Sequence, residues 1–108
     1  MSDVSKTVRL GRRTRVKLEA LPEYRKWHER VWPELLDLNR QAGVRNYSIF
    51  LDGTTLFSYC EVDDPERANT QMMQSDLGAR WQALMAPFMD AEDPNEPWTE
   101  LEEIFHQA

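Results

Sequence analysis

The sequence predicts an α+β domain of ferredoxin-like, split βαβ topology, in which a four-stranded antiparallel sheet carries its helices on one face. Three observations predict this fold. Strand-like and helix-like segments follow the order strand, helix, strand, strand, helix, strand. The two central strand-like segments flank Asp52-Gly53, which is a strong hairpin signal. The chain has 108 residues, enough for one small core and too few for two.

The first strand and helix are predicted between residues 12 and 43. Residues 12–18 alternate charged with less polar side chains, as a half-buried strand does. A helix then begins near Pro22, because proline suits the first helical position, and runs to Gly43, which is a natural stop. Pro33 interrupts this helix, so we expect a kink or a new helix start near Trp32.

The hairpin strands are predicted in the segments VRNYSIFL and TLFSYCEV. Simple alternation places Tyr47, Ile49 and Leu51 on one face of the first of these strands, and Val44, Ser48 and Phe50 on the other. Neither face is uniformly polar, so we expect both to be covered. Helices cover one face in a split βαβ domain, and a second subunit would cover the other. We therefore expect a homodimer with the architecture of a dimeric α/β barrel.

The second half of the chain predicts further helix and one last strand. A helical region begins at Pro65, and Gly78 is expected to break it and to start a helix of its own. Pro87 weakens the last turn of that helix. Residues 90–98 are predicted as a loop, and residues 99–107 as the final strand.

Composition narrows the class of protein. Asp and Glu outnumber Lys and Arg by 19 to 13, and a net charge of -6 argues against a nucleic-acid partner. The charges are basic near the start and acidic near the end, so we expect the two ends to lie close together, either within a subunit or across a dimer. No apolar run approaches the roughly 18 residues that cross a membrane, and the N-terminus lacks a secretory signal, so we expect no membrane partner and a cytoplasmic location. Cys60 is the single cysteine, which excludes an intrachain disulfide and a cysteine-based zinc site. Residues 1–12 are expected to be a flexible N-terminal segment, and residues 13–108 a single domain.

A histidine lies on the packing face of the first predicted helix. That face is a stripe with spacings of four and three, which becomes more apolar toward its end. The stripe consists of Tyr24, His28, Val31, Leu35, Leu38 and Ala42. Tyr24 and His28 are one turn apart, so they can touch and should project toward the sheet. Tyr47 on the hairpin and Trp81, on the inner face of the later helix, complete a predicted pocket of Tyr, His, Tyr and Trp. The alternative is a structural histidine whose ring nitrogens are satisfied by neighbours.

The chemistry that such a pocket supports is acid–base catalysis. The sequence offers no Ser–His–Asp arrangement, no Gly-rich phosphate loop and no metal-ligand cluster, so we expect neither a cofactor nor a metal. An imidazole, with an ordinary pKa of about 6.5, can give and take protons near neutral pH. Opening and reclosing the hemiacetal ring of a sugar needs little more than this.

The segment EYRKWHERVWPELLDLNRQAGVRNYSIFLD closely resembles the L-rhamnose mutarotase family. The hallmark residues are Tyr24, His28, Trp32-Pro33-Glu34 and Asn46-Tyr47, followed by Ile49 and Leu51-Asp52. The match continues through LFSYCEV, RWQALM and LEEIF, and so covers nearly everything from about Arg13 onward.

This resemblance implies a cofactor-free and metal-free aldose 1-epimerase of ferredoxin-like fold, dimeric and cytoplasmic, over residues 13–108. It implies that His28 is the proton donor and that Tyr24 and Tyr47 contact the monosaccharide. The family often carries paired tryptophans at the sugar. Trp81 corresponds to the first of them, and Gln82 replaces the second with an amide that can hydrogen-bond a hydroxyl. The expected substrate is a 6-deoxy aldose, first of all L-rhamnose, with L-fucose or a related sugar as an alternative.

Several points stay open on the sequence alone. The base that partners His28 is unassigned, and Glu61 could serve if its strand face points toward the helices. Trp98 could cover the pocket or seal a dimer. A non-catalytic dimeric small-molecule-binding protein is a competing hypothesis. A cofactor-independent monooxygenase on a similar dimeric barrel is another, but it would want a deep apolar cavity in place of a hydroxyl-rich one.

Overall fold

The computed structural model describes residues 7–91, 93 and 96–108. The flexibility predicted for residues 1–6 lies outside the described residues. The first strand begins at Val8, earlier than the alternation from residue 12 predicted, so residues 8–12 belong to the sheet. Of the helices that the structure describes, none is long and apolar enough to cross a membrane.

The sheet confirms the predicted α+β, ferredoxin-like topology. Four strands pair in the order β2-β3-β1-β4, and every pairing is antiparallel. The strands are β1 (Val8–Arg15), β2 (Val44–Asp52), β3 (Thr55–Val62) and β4 (Thr99–Leu101). The last strand has three residues, so it is shorter than predicted, and the residues after Leu101 are exposed and in no strand. The basic start and the acidic end do meet, because Arg9 Nε lies 2.8 Å from Glu103 Oε2.

Four α-helices of the described chain join these strands, and proline occupies the first or second position in three of them. They are α1 (Leu21–Glu29), α2 (Pro33–Gln41), α3 (Pro65–Gln74) and α4 (Asp76–Met85). Pro33 divides the first helical region into two separate helices at Trp32, as predicted. The second division is at Ser75 and not at Gly78, which was the predicted break. Ser75 Oγ accepts a hydrogen bond from the Gly78 amide at 3.4 Å, so serine caps α4 and Gly78 lies within its first turn.

A β-bulge in β2 changes which residues face the helices. The pairing of β2 with β3 shifts register between Arg45 and Ser48, where Asn46 has a φ of 51°. Val44 pairs with Val62 and packs under the helices, so its predicted place on the opposite face from Tyr47 is wrong. The extra residue in the bulge reverses the alternation that had assigned Val44 outward.

The helix-covered face, called the inner face below, carries two separate apolar clusters. The first cluster contains Leu10, Ala42, Val62 and Ala68, and the second contains Val16, Tyr24, Leu56 and Met85. Between the clusters the strands contribute polar residues, with Arg12 on β1 paired to Ser58 on β3. The core is therefore divided by a polar band. The opposite, outer face has no helix over it, and Phe50 there is 62% exposed.

Candidate active site

The orientation of His28 follows from the helix that carries it. Its Nδ1 lies 2.8 Å from the backbone carbonyl oxygen of Tyr24, one turn earlier. A carbonyl oxygen can only accept, so Nδ1 carries the hydrogen and donates it. The neutral ring is therefore the tautomer in which Nε2 is unprotonated, and Nε2 is the nitrogen left for a ligand.

Aromatic rings hold the imidazole in place. The rings of Tyr24 and His28 are stacked, with centroids 4.2 Å apart and planes 26° apart. The Trp81 ring meets His28 edge-on at 5.5 Å, and Trp32 in turn meets Trp81 at 5.1 Å. Such contacts restrict rotation of the imidazole without using its nitrogens. The predicted contact of Tyr24 with His28 is thus present, and Trp81 joins them from α4.

A cavity of about 290 Å³ lies beside the imidazole. It lies between α1 and the hairpin, and its lining consists of Leu21, Tyr24, Arg25, His28 and Glu29 on α1 with Ile49, Phe50, Leu51 and Leu56 on the hairpin. The cavity therefore has apolar walls and a polar side made by one helix. His28 is half-buried and borders this space. A small polar ring could reach its Nε2 from there.

Two charged residues at this cavity were not singled out from the sequence. Arg25 and Glu29 follow Leu21 at intervals of four, so they share the helix face that borders the cavity. Helical spacing could have found them. Charged residues on a helix usually lie on its solvent face, so the sequence pattern alone does not mark these two as site residues.

The two candidate tyrosines keep neutral hydroxyls. Tyr24 is buried, and burial, with a smaller contribution from nearby Tyr47, raises its pKa well above the ordinary value. Tyr47 is 50% exposed, yet burial is also the main cause that raises its pKa, so the hydroxyl end is its enclosed part. Both hydroxyls can therefore donate and accept hydrogen bonds near neutral pH. Tyr47 does not border the cavity itself.

Gln82 does not lie with the side chains around His28. Its side chain is exposed on α4, and it neither borders the cavity nor takes part in the ring contacts around Trp81. Trp81 is half-buried and reaches the site only through His28 and Trp32.

Glu61 points away from the site. It accepts hydrogen bonds at 2.9 Å from Asn46 Nδ2 and from the Tyr59 hydroxyl, on the side of β3 opposite the helices. These hydrogen bonds, Asn46 first, lower the pKa of its carboxyl. The suggestion that Glu61 is the base beside His28 is therefore wrong.

Trp98 packs against its own chain. It is half-buried against the second cluster, and the preceding Pro97 accepts a hydrogen bond from the buried Thr14 hydroxyl. The segment is thus fastened to the inner face of β1. Across the part of the chain that the structure describes, no group of three or more His, Cys, Asp or Glu side chains is arranged to hold a metal ion.

Comparison with known proteins identifies the family. A family model described as L-rhamnose mutarotase matches residues 9–107. An L-rhamnose mutarotase of Lactiplantibacillus plantarum is 38% identical over 102 residues, which are 92% of this chain and 97% of that protein. Another, of Ligilactobacillus salivarius, is 40% identical over 106 residues, or 93% and 97% of the two chains.

A solved structure agrees with these matches. The crystal structure of an L-rhamnose mutarotase from Formosa agariphila superposes with a TM-score of 0.78 at 29% identity, and the match covers 94% of this chain and 99% of that one. Sequence and fold therefore agree over nearly the whole length. This chain belongs to the L-rhamnose mutarotase family.

Proposed function

We propose that this chain is an isomerase that interconverts the α and β anomers of L-rhamnose, a 6-deoxy aldose, with His28 as the catalytic acid. Family membership supports the reaction. The observation that carries the assignment of His28 is its hydrogen bond to the Tyr24 carbonyl, which commits Nδ1 to the helix and leaves Nε2 as the available nitrogen of a side chain that borders the cavity. A histidine satisfied at both nitrogens would not suit this role.

The reaction needs one proton donor and one base. Protonated His28 donates its Nε2 proton to the ring oxygen O5 while a base takes the proton of the O1 hydroxyl. The C1–O5 bond breaks, and O1 becomes the oxygen of the open-chain aldehyde. Rotation about C1–C2 presents the other face of the aldehyde, and the reverse proton transfers close the ring as the other anomer. No atom is gained or lost.

We assign the base to Glu29. It is the residue with a carboxylate among those that border the cavity, and it follows His28 on the same helix. Tyr24, Tyr47 and Trp81 are the proposed sugar contacts, because neutral hydroxyls and an indole suit a polyol with one less polar face. The exposed position of Gln82 gives it no support as a contact within this chain.

Exchange NMR between the anomeric protons of L-rhamnose and of L-fucose tests the function directly. The wild-type protein should accelerate exchange of L-rhamnose, and His28→Ala should remove most of the effect. His28→Asn is the sharper variant, because its amide can still donate to the Tyr24 carbonyl while Nε2 is gone. A folded His28→Asn protein with wild-type exchange would remove His28 from the mechanism, and a wild-type protein without exchange on either sugar would contradict the function.

We further propose a homodimer formed through the outer face of the sheet. Phe50 and Phe57 pair directly there and are 62% and 38% exposed. In the C-terminal segment, Ile104 and Phe105 are 89% and 76% exposed. Exposed apolar side chains concentrated in this way are typical of protein interfaces. A second copy on this face would complete the dimeric α/β barrel that the sequence predicts.

The cytoplasm is the proposed location. The lone Cys60 is half-buried and has no disulfide partner in the chain, which suits a reducing compartment. Fractionation of cells that express the chain from its own gene would test this. Recovery with periplasmic or secreted markers would contradict it.

A further inference from the structure

Arg12 faces the inside of the domain. Along β1 it alternates with residues of the outer face and shares the inner face with Leu10 and Thr14, which are 8% and 4% exposed, and with Val16 just after the strand, which is 1% exposed. Its cross-strand partner is Ser58, in the polar band between the two apolar clusters. Arg12 is half-buried in that band, so a guanidinium lies under the helices where an apolar residue would be ordinary.

This guanidinium has no counter-charge in the described chain. Glu100 lies directly across from Arg12 on β4, but no carboxylate of the described residues is within ion-pairing distance of it. The positive charge of Arg12 acts instead on Tyr47 and Cys60. It lowers the pKa of each group, against burial, which raises it. Across the sheet, Ser58 in turn pairs with Ile49 of β2, which borders the cavity, so Arg12 lies in the cross-strand row that leads to the cavity beside His28.

Arg12 is linked to the proposed active site through the tyrosines. Tyr47 is close enough to Tyr24 to affect it, and Tyr24 is stacked on His28. A sugar held between the imidazole and Tyr47 would thus have the guanidinium on the side remote from His28. A guanidinium only donates hydrogen bonds, and hydroxyl oxygens accept them, so a polyol would satisfy this unpartnered group.

We propose that Arg12 is a substrate-binding and specificity-determining residue, which hydrogen-bonds hydroxyl oxygens of the sugar on the side opposite the anomeric carbon. This inference rests on the proposed function for the identity of the sugar. The hydroxyls of C2, C3 and C4 are the candidates, since C1 must reach His28. Arg12 makes the bound orientation depend on which of these hydroxyls points toward the sheet.

Binding of L-rhamnose, measured by saturation-transfer NMR titration, separates this role from turnover. Arg12→Met keeps length and apolar packing, and should raise Kd about tenfold or more, the effect of losing a hydrogen bond from a charged donor. Arg12→Lys keeps the charge without the planar guanidinium, so its Kd should lie between those of wild type and Arg12→Met. Arg40→Met is the matched control and should bind as wild type, because the Arg40 side chain is 69% exposed on α2 and, among the described residues, forms its ion pair with Asp37.

The 2-, 3- and 4-deoxy analogues of L-rhamnose then identify the hydroxyl that Arg12 bonds. Their affinity for the wild-type protein can be measured even if an Arg12 variant does not fold. One analogue should bind the wild-type protein about tenfold more weakly than L-rhamnose, and Arg12→Met should weaken its binding no further. Equal affinity of folded Arg12→Met and wild type for L-rhamnose would overturn the proposal. So would deoxy analogues that all lose affinity equally in both proteins. Arg12-dependent binding without anomer exchange would support Arg12 and contradict the mutarotase function instead.

Discussion

Glu29 is the residue whose role depends most directly on the cavity. It borders the same space as His28, one position further along α1. If it takes the O1 proton, Glu29→Gln should lower kcat by about 10²-fold or more, as removal of a general base does, with little effect on KM. Exchange NMR at saturating L-rhamnose measures this. Glu23→Gln is the control, because Glu23 lies on α1 outside this cavity, and equal rates of the two variants would exclude Glu29 as the base.

Tyr24 predicts how stability depends on alkaline pH. Its hydroxyl has a raised pKa in the folded state, mainly from burial, whereas an unfolded tyrosine ionises near pH 10.0. Below that pH the contribution to stability is fully present. Above it the unfolded state loses a proton that the folded state keeps, so the free energy of unfolding falls as pH rises.

Tyr24→Phe removes this contribution. Its free energy of unfolding should fall less steeply than that of wild type above about pH 10, by up to about 1.4 kcal/mol per pH unit. Urea titrations followed by circular dichroism at several pH values on both sides of pH 10 measure the slopes. Parallel slopes in the two proteins would show that the Tyr24 hydroxyl is not protected.

For single residues, the sequence predicted the ring contacts of the site better than it predicted the positions of charged groups and of protons. Helical spacing was enough to bring Tyr24, His28 and Trp81 together. Intervals of four from Leu21 also lead to Glu29, and strand alternation gives Arg12 the same face as Thr14. Both residues are charged, however, and a sequence pattern ordinarily assigns charged side chains to solvent. The tautomer of His28 depends on a carbonyl of its own helix, which becomes visible only in three dimensions.

The two helix breaks differ in how far they follow from residue type. Pro33 lacks an amide hydrogen and its ring clashes with the preceding turn, so it cannot continue a helix that is already under way without a kink or a break, and its effect was predictable. Glycine inside a helix weakens it, by about 1 kcal/mol relative to alanine, but does not break it. Gly78 is there because α3 and α4 come very close, and a Cβ at this position would clash with the Met72 carbonyl oxygen. A close contact with a neighbouring helix decides the role of such a glycine.

Gly78→Ala should therefore destabilise the fold although alanine favours helices. The added methyl group must displace backbone of α3, which we expect to lower the free energy of unfolding by about 1–3 kcal/mol. Thermal or urea unfolding measures the change. Gly11→Ala is the control, because its Cβ would meet only the Leu101 side chain at an ordinary 3.9 Å. A Gly78→Ala protein as stable as wild type would mean that α3 and α4 can separate at low cost.

The bulge in β2 is the feature of a secondary-structure element that simple alternation could not predict. It inserts one residue near Asn46, whose φ of 51° lies in the left-handed region that asparagine tolerates better than most residues. The insertion lets Val44 pack in the first cluster while Tyr47 keeps its place near Tyr24. Register of this kind depends on the partner strand, which a single strand sequence does not describe.

For the whole molecule, element order was sufficient to predict topology. A short hairpin and helix crossovers leave few ways to arrange four strands, and the observed order β2-β3-β1-β4 is the split βαβ solution. The opposed charges of the two ends also predicted their contact, seen in the Arg9–Glu103 pair. The division of the core by a polar band was not predictable, because composition alone does not tell which polar residues turn inward.

The outer face of the sheet yields the last prediction. Its exposed Phe57 and the exposed Phe105 would cost free energy if they stayed in water, so the chain should run at twice its 12.7 kDa mass in light scattering. The double variant Phe57→Ser, Phe105→Ser should be monomeric at concentrations where wild type is dimeric. Met73→Ser is the control, since Met73 is also apolar and is 62% exposed but lies on α3, in the helical layer. A monomeric wild type, or a double variant that dimerises as strongly as the control, would place any interface elsewhere. If dissociation also abolished anomer exchange while L-rhamnose still bound, the second subunit would be contributing to the reaction rather than to the fold alone.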